Sequence, residues 1–231
     1  MSPAVLLFAA GGALGSAIGT YLAGQGFAVY TAGTTPWDGA AAHLPLSYEN
    51  PCDAASFSAL PALDAVVWAQ GLNCSDSVAT FVAADLQRLL QGNVLFIASS
   101  LQALLAAGRL RVGSRLAVVS SIWQLESRPG KFSYTVSKAA LQGLVKSCAL
   151  DLGPKGILIN AVLPGVVDTP MTHAHLSAEQ IATITAQSAL ARLPEPADIA
   201  SAVGYLVSPA NRCITGQFLT VDAGFIGLKH A

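Results

Sequence analysis

The chain has 231 residues, of which 53% are hydrophobic and only 11% charged, and its formal net charge is −1. This composition excludes an intrinsically disordered chain, and the near-zero charge argues against an electrostatic nucleic-acid binder. The length suits a single domain over residues 1–231 with a substantial core.

Short apolar runs alternate with helical patterns along the chain. The first run, 4–9, is continuously apolar, which is typical of a strand buried on both faces, and a helical pattern follows over 14–25. Similar strands are predicted at 28–32, 65–69, 115–120, 157–162 and 218–221. Further helices are predicted at 75–90, 92–108, 133–152 and 196–207. This alternation predicts an α/β fold, one doubly wound parallel sheet with helices on both faces.

Two uncharged stretches raise the question of a targeting or membrane segment. Residues 1–37 carry no charge, but glycines interrupt them and no basic leader or clear cleavage site is present, so a signal peptide is disfavoured. The twenty residues of 89–108 have the length of a membrane span. Several of them are polar and would be unfavourable against lipid, namely Gln91, Asn93, Ser99, Ser100 and Gln102. A buried or interface helix is therefore favoured, and no membrane partner is expected.

The cysteines and histidines form no recognisable metal or redox motif. Cysteines stand far apart, at Cys52, Cys74, Cys148 and Cys213. Their spacing indicates reduced thiols in a cytoplasmic protein. His173 and His175 have no further ligand set nearby, so a solvated loop is favoured there over a metal site.

A glycine-rich turn joins the first predicted strand to the first predicted helix. Glycine is needed where such a turn is strained or approaches a ligand, and free amides at the helix start attract a pyrophosphate. The spacing Gly11-x-x-x-Gly15-x-Ala17 differs from the usual G-x-G-x-x-G, so turn and packing alone could also explain these glycines. The strand before the turn and the helix after it favour dinucleotide binding.

Tyr134 and Lys138 form the second candidate feature. They lie four residues apart on the predicted helix 133–152, with Ser133 as its N-cap, so the phenol and the ammonium share one helix face. A nearby cation favours the phenolate and would lower the tyrosine pKa toward the range useful for acid–base work. Ser121 ends a strand at the sheet edge where such folds bind ligands. A surface tyrosine beside a solvated lysine is the plain alternative, and the apolar character of the helix disfavours it.

These residues resemble the short-chain dehydrogenase/reductase family, in its compact single-domain branch, over nearly the whole chain. The family's glycine turn matches 10–17, and its proline-glycine loop after the sixth strand matches 160–171. Its closing strand resembles 214–217 and 221–224. Single positions also match. The family's adenine-contacting aspartate falls on Asp53, and its Asn-Ala-Gly segment falls on Ala69-Gln70-Gly71. Its active-site asparagine, serine, tyrosine and lysine fall on Asn93, Ser121, Tyr134 and Lys138.

The resemblance implies a Rossmann-type sheet of about seven strands and an NAD(P)-dependent oxidoreductase acting on carbonyl or alcohol groups. Tyr134 would be the general acid/base, Lys138 would lower its pKa and hold the nicotinamide ribose, and Ser121 would orient the substrate oxygen. Asn93 would position a water in a proton relay. The implied cofactor contacts are Gly11, Ala13, Leu14, Gly15, Thr34, Asp53, Ala69, Gly71, Tyr134, Lys138, Pro164, Val167 and Thr169.

The end of the second strand bears on cofactor choice. Gly33 stands where an acidic residue would bind the ribose of NAD, and Thr34 is next to it. No carboxylate there would repel a phosphate, and the hydroxyls of Thr34 and Thr35 are available to bind one. NADP is therefore favoured, and NAD remains the alternative cofactor.

Three departures from the family pattern motivate an alternative function. Ala10 stands for a threonine, Ala17 for the third glycine, and Ala69-Gln70-Gly71 for Asn-Ala-Gly. These changes remove contacts that brace cofactor loops, so a non-catalytic dinucleotide-binding sensor or scaffold is the alternative. A nucleotide-sugar epimerase has too little chain for its substrate domain, and a methyltransferase would not explain the Tyr134/Lys138 pair.

The resemblance also suggests a substrate lid and subunit contacts. Residues 168–190 correspond to the family's lid and include a short helix from Ser177. Trp123, Leu125 and Val166 could line a pocket for an apolar or aromatic carbonyl substrate. Helices 92–108 and 133–152 are apolar on most sides and correspond to family subunit contacts, which implies a homo-oligomer, a tetramer or a dimer.

Overall fold

Seven parallel strands form one sheet in the computed structural model, which describes residues 2–50 and 52–227. They are β1 Ala4–Phe8, β2 Ala28–Gly33, β3 Ala42–Pro45, β4 Leu63–Trp68, β5 Leu110–Val119, β6 Leu158–Pro164 and β7 Phe218–Val221. Their order is β3-β2-β1-β4-β5-β6-β7. Strands are thus added on one side of β1 up to β3 and on its other side from β4 onward, so the strand order reverses between β1 and β4. Doubly wound sheets bind ligands at this switch point, beyond the carboxyl ends of the strands. The predicted fold class is confirmed.

Helices cover both faces of this sheet. They are α1 Ala13–Gly24, α2 Ala83–Leu90, α3 Phe96–Ala106, α4 Phe132–Leu152, α5 Pro170–His175, α6 Ala178–Gln187 and α7 Pro196–Val207. The first and last of them pack on one face, whereas α3 and α4 pack on the other. Each face of the sheet therefore has its own apolar core.

Strand β1 shows why the central strands are continuously apolar. All five of its residues are buried. Leu6 and Phe8 enter the core beneath α3 and α4, whereas Val5 and Leu7 enter the core beneath α1 and α7. Alternate side chains of a strand point to opposite faces, so a strand covered on both sides must be apolar at every position.

The helix predicted at 75–90 begins later than expected. Residues 75–82 form a loop, α2 starts at Ala83, and a π-helix at Gln91–Leu95 continues it into α3. The resulting helical run, Ala83–Ala106, is long and apolar enough to cross a membrane, but half of its most apolar window is buried against the rest of the fold. A core helix meets the same criterion, so this run is only a weak indication of a membrane span.

The capping residues of two helices could also be compared with the prediction. Helix α4 starts at Phe132 with Lys131 as its N-cap, so the prediction of Ser133 as N-cap is wrong. The reason is that the Ser133 hydroxyl and backbone N–H both donate to the carboxylate of Asp76, which lies in the loop before α2. The short helix expected from Ser177 is present as α6, and Ser177 forms a capping box with Gln180.

Candidate active site

A cleft of about 650 Å³ opens at the carboxyl ends of the strands. Most of the site residues named from the sequence line it: Gly11, Ala13, Leu14, Gly15, Thr34, Ala69, Gly71, Ser121, Tyr134, Lys138, Pro164, Val167 and Thr169. Residues far apart in sequence thus come together because parallel strands end at one edge of the sheet. Asp53 and Asn93 do not line the cleft.

Ser121, Tyr134 and Lys138 converge at the end of β5. Ser121 caps a short turn, Ile122–Gln124, where its Oγ accepts from the Trp123 N–H at 3.3 Å, and its hydroxyl lies near enough to the phenol of Tyr134 to lower that group's pKa. The ammonium of Lys138 donates to the carbonyl of Val119 at 3.4 Å and lies 5.7 Å from the centroid of the Tyr134 ring. The three groups therefore surround one point of the cleft, where a substrate oxygen can meet both hydroxyls.

Burial shifts the pKa values of Tyr134 and Lys138. It raises the pKa of Tyr134 to about 12, against the opposing hydrogen bond from Ser121, and it lowers the pKa of Lys138 to about 8. Loss of water disfavours the charged form of each group. The causes of the Tyr134 pKa shift are burial and Ser121, so the expectation that Lys138 lowers the phenol's pKa stays a prediction.

Asn93 lies within the π-helix and is fully buried. Its Oδ1 accepts from the Leu72 N–H at 2.7 Å, and its Nδ2 donates to the Leu72 carbonyl at 3.0 Å and to the Ser137 Oγ at 2.9 Å. The amide thus clamps the loop that follows β4 onto the first turns of α4. In this position its side chain braces the cleft wall and does not face the cleft.

In the glycine-rich turn after β1, Gly15 lies closest to another part of the backbone, at Ala9. A Cβ there would lie 2.1 Å from the carbonyl oxygen of Ala9, so only glycine lets α1 start this close to β1. Ala9 itself adopts a left-handed φ of 59°, a conformation that sequence reasoning did not identify. Ala17, matched above to the family's third glycine, lies in the second turn of α1 and packs into the core.

Several groups in the cleft fit a bound dinucleotide. No side chain caps the start of α1, so the amides of its first turn are available to a phosphate. Gln70 lines the cleft, and both its amide oxygen and nitrogen are buried with no hydrogen-bond partner in 2–50 and 52–227. A buried amide without partners is unfavourable, so a ligand that supplies them would be held there.

Asp53 stands outside this arrangement. It is exposed, and its carboxylate accepts hydrogen bonds from the backbone N–H and the hydroxyl of Ser56, which lowers its pKa. The aspartate therefore organises the turn Ala55–Phe57, and its side chain is not offered to the cleft.

The cleft also contains two cations that were not among the residues named from the sequence, Arg128 and Lys131. They lie between Ser121 and Tyr134 in sequence, and this placement was the available signal. Trp123 and Val166 line the cleft as expected, whereas Leu125 is 50% exposed and does not. His173 pairs with Asp168 at 2.6 Å, outside the cleft lining.

Known proteins resemble this chain in sequence and in structure. Residues 52–226 match the family described as enoyl-(acyl carrier protein) reductase. The chain is 30% identical to the uncharacterised oxidoreductase YmfI of Bacillus subtilis over 241 aligned positions, which cover 97% of this chain and 99% of that protein. It is 41% identical to an L-rhamnose 1-dehydrogenase (NAD(P)(+)) of Azotobacter vinelandii over 119 residues, 51% of this chain and 46% of that protein.

Among solved structures, a short-chain dehydrogenase family protein of Francisella tularensis superposes with a TM-score of 0.89. The superposition covers 99% of this chain and all of that one, at 22% identity, and so shows a shared fold. Curated relatives at 41% identity are matched over less than half of their own length. What those relatives act on is therefore carried to this chain only as a proposal.

Proposed function

The chain belongs to the short-chain dehydrogenase/reductase family, and on that premise we propose that it is an NAD(P)-dependent oxidoreductase that interconverts a carbonyl group and an alcohol. The observation that carries this proposal is the convergence of Ser121, Tyr134 and Lys138 in a cleft. The same cleft offers uncapped helix amides and the unpartnered amide of Gln70 to a dinucleotide. A merely structural tyrosine would need neither feature.

The side chains divide the chemistry among them. Bound NAD(P) would supply or accept the hydride. Tyr134 donates its proton to the substrate oxygen in reduction and takes it back in oxidation, while the Ser121 hydroxyl orients that oxygen. Lys138, once protonated, stabilises the phenolate and contacts the nicotinamide ribose. Because its pKa is raised to about 12, the phenol carries its proton at neutral pH, as the reduction step requires.

The turn after β1, the end of β2 and the loops after β4 and β6 would hold the cofactor. Thr34 and Thr35 are exposed at the end of β2 and line the cleft, and the part of the cleft lining that the structure describes has no acidic side chain. A 2′-phosphate would meet hydroxyls there and no carboxylate, so we favour NADP over NAD. The name of the Azotobacter enzyme includes both NAD and NADP and is compatible with either cofactor.

Self-association is a further part of the proposal. Helix α4 exposes Val136, Gly143 and Leu150, seven residues apart, and nothing lies within 4 Å of a Cβ placed on Gly143. Leu95 is exposed at the junction with α3. Residues spaced by seven share one helix face, so this apolar face suits a second copy of the chain in a dimer or tetramer. Lys146, between Gly143 and Leu150, is an exposed charge on the same face, and its ammonium lies 5.9 Å from the centroid of the Phe218 ring.

We assign the chain to one domain over 1–231, with 168–190, the α5–α6 segment, as the lid. His175 and Leu176 from this segment line the cleft, which supports a covering role. We also place the protein in the cytoplasm, where its four unpaired cysteines would stay reduced.

A carbonyl and alcohol panel with NADPH and NADH, followed by nicotinamide absorbance, tests the activity. We expect turnover of at least one carbonyl compound. Calorimetric titration of NADPH runs beside it. Tight binding without turnover of any compound would contradict the proposal and favour the non-catalytic sensor or scaffold.

A further inference from the structure

A buried ammonium that the hydride transfer does not require lies beside the proton donor. Lys131 is only 8% exposed. Its Nζ donates to the Oδ1 of Asn73 at 2.9 Å and lies 5.3 Å from the centroid of the Tyr134 ring. A second cation is therefore as close to this ring as Lys138. Asn73 satisfies only one of the three ammonium protons of Lys131.

Arg128 reaches the same part of the cleft from the loop before α4. Its Cζ lies 5.6 Å from the centroid of the Trp123 ring, a stacking distance that holds the guanidinium in place. Its Nε is buried and has no hydrogen-bond partner in the described part of the chain. A held guanidinium with a free buried N–H is suited to receive an acceptor from outside the protein.

No acidic group of the described residues neutralises these two cations. None lies within 4.0 Å of either of them, and no Asp or Glu lines the cleft. Asp76 acts on Lys131 from a longer distance, and its carboxylate is committed to the N–H and hydroxyl of Ser133. Burial, together with the charge of Arg128, lowers the pKa of Lys131. The half-buried guanidinium of Arg128 and the buried ammonium of Lys131 repel each other, and a bound anion relieves both the burial of Lys131 and this repulsion.

The cofactor's own phosphates do not account for this pair. Its phosphates are expected at the start of α1 and at Thr34, on the β1–β2 side of the cleft. Arg128 and Lys131 lie between β5 and α4, the segment that also supplies Ser121, Trp123 and Tyr134. The anion they await must therefore belong to the substrate end of the cleft.

We propose that Arg128 and Lys131 bind an anionic group of the substrate, so that the enzyme acts on an oxo acid, a hydroxy acid or a phosphorylated carbonyl compound. This inference rests on the proposed function. With its reacting oxygen between Ser121 and Tyr134, the substrate extends its carboxylate or phosphate toward the two cations. The guanidinium fork can receive two oxygens at once, which suits both anions. The apolar or aromatic substrate expected from Trp123 and Val166 is replaced by a charged one, with Trp123 acting as the support of Arg128.

Matched substrate pairs test the proposal. We would measure kcat/KM with NADPH for 4-oxopentanoate against its methyl ester, for 2-oxobutanoate against its methyl ester, and for dihydroxyacetone phosphate against dihydroxyacetone. We expect at least a tenfold preference for the anion in one pair, and the pair that shows it distinguishes a carboxylate from a phosphate. Equal or better turnover of every neutral member would overturn the inference.

Two variants locate the preference. Arg128→Gln and Lys131→Met should each reduce kcat/KM for the anion at least tenfold more than for its neutral partner, chiefly through KM. Lys131→Arg should restore part of the Lys131→Met loss. Arg88→Gln removes the same charge from an exposed arginine outside the cleft lining and should keep the preference. Equal losses for anion and neutral substrate would mean that the two residues only support the fold.

A binding experiment separates this inference from the proposed activity. Calorimetric titration of propanoate and of propanamide into the protein loaded with NADP⁺ needs no turnover. Propanoate should bind, propanamide should bind at least tenfold more weakly, and Arg128→Gln should remove the difference. If no compound is turned over while this binding holds, the activity fails and the anion site stands. If turnover occurs and propanoate does not bind better than propanamide, the anion site is refuted.

Discussion

The side-chain amide of Asn93 forms a two-way hydrogen-bonded pair with the backbone of Leu72, accepting its N–H at 2.7 Å and donating to its carbonyl at 3.0 Å. The side-chain amide thus satisfies the N–H and the carbonyl of Leu72, in the loop after β4, as the backbone of a neighbouring strand would. That loop carries Ala69, Gln70 and Gly71 into the cleft. The π-helix that holds Asn93 is consequently tied to the cofactor side of the site, although the residue itself does not reach it.

Removing the phenol tests the proton donor. Tyr134→Phe should lower kcat/KM for carbonyl reduction by about 10²–10⁴-fold, the usual contribution of a positioned acid. The aromatic ring stays, so the dissociation constant of NADPH should change by less than about threefold, roughly 0.6 kcal/mol. Tyr205→Phe makes the same change at an exposed tyrosine outside the cleft and should keep full activity. Near-normal turnover in Tyr134→Phe would remove Tyr134 from the mechanism.

Cofactor preference should depend on the end of β2. The unchanged protein should show a lower KM for NADPH than for NADH. Thr34→Asp places a carboxylate where the 2′-phosphate would lie, and by charge repulsion it should raise the KM for NADPH by about tenfold or more, while the KM for NADH falls or stays. Thr34→Asn is the neutral control. A preference for NADH in the unchanged protein would contradict the assignment of NADP.

Stability should respond to pH through Lys138. Its pKa falls from 10.5 to about 8 on burial, so between these values the unfolded chain holds a proton that the folded chain has lost. The burial of this lysine therefore lowers the free energy of unfolding fully below pH 8, and the loss shrinks as the pH rises from 8 to 10.5. Lys138→Met should be more stable than the cofactor-free parent near pH 7, by up to about 3 kcal/mol, with a smaller gain at pH 10.

Urea unfolding of both proteins from pH 7 to 10 measures this difference. The range stops below the interval of pH 10 to 12, in which the raised pKa of Tyr134 makes stability fall with rising pH. A constant difference between Lys138→Met and the parent across pH 7 to 10 would show that the lysine does not change its protonation on folding in this range.

Relief of backbone strain should be measurable at Ala9. Its φ of 59° disfavours any residue with a Cβ, whereas glycine adopts it freely. Ala9→Gly should raise the free energy of unfolding by about 0.5–1 kcal/mol after the greater entropy of unfolded glycine is subtracted. Ala32→Gly, at the residue whose carbonyl accepts the Ala9 N–H, should instead lower it. Equal destabilisation by both substitutions would contradict the strain.

The exposed face of α4 should mediate self-association. Light scattering at micromolar concentration should give the mass of a dimer or tetramer. Leu150→Glu places a charge on a leucine that is 78% exposed and should shift the mass toward the monomer. Val112→Glu, at a similarly exposed apolar residue of β5, should not. A monomer in the unchanged protein would refute the assembly.

The central strands could be predicted from sequence because burial on both faces leaves no polar position in them. Strand β3 was not identified by its own pattern, since it is short, none of its residues is fully buried and it ends in Pro45. The start of α2 was misjudged for a related reason. The sequence of 75–82 is compatible with a helix. Asp76, however, forms backbone and side-chain hydrogen bonds with the start of α4, and these keep the segment in a loop.

The cleft residues could be named where a short motif carries them, as with Tyr134 and Lys138 or the turn after β1. Arg128 and Lys131 could not, because their significance depends on contacts with Trp123 and Asn73, and these exist only once separate loops meet. Asp53 shows the converse. Its place in the sequence matches a family position, yet its carboxylate closes a local turn with Ser56.

The distribution of charge in the cleft affects how ligands arrive as well as how they are held. The whole chain has a net charge of −1, yet the cleft concentrates Arg128, Lys131 and Lys138, and none of the described residues that line it carries a carboxylate. These cations are expected to make the potential in the cleft positive, although the molecule as a whole has almost no net charge. Anionic molecules are drawn in over about one Debye length, roughly 8 Å at physiological salt. Association rates of such ligands should consequently decline as ionic strength rises, although the protein as a whole is nearly neutral.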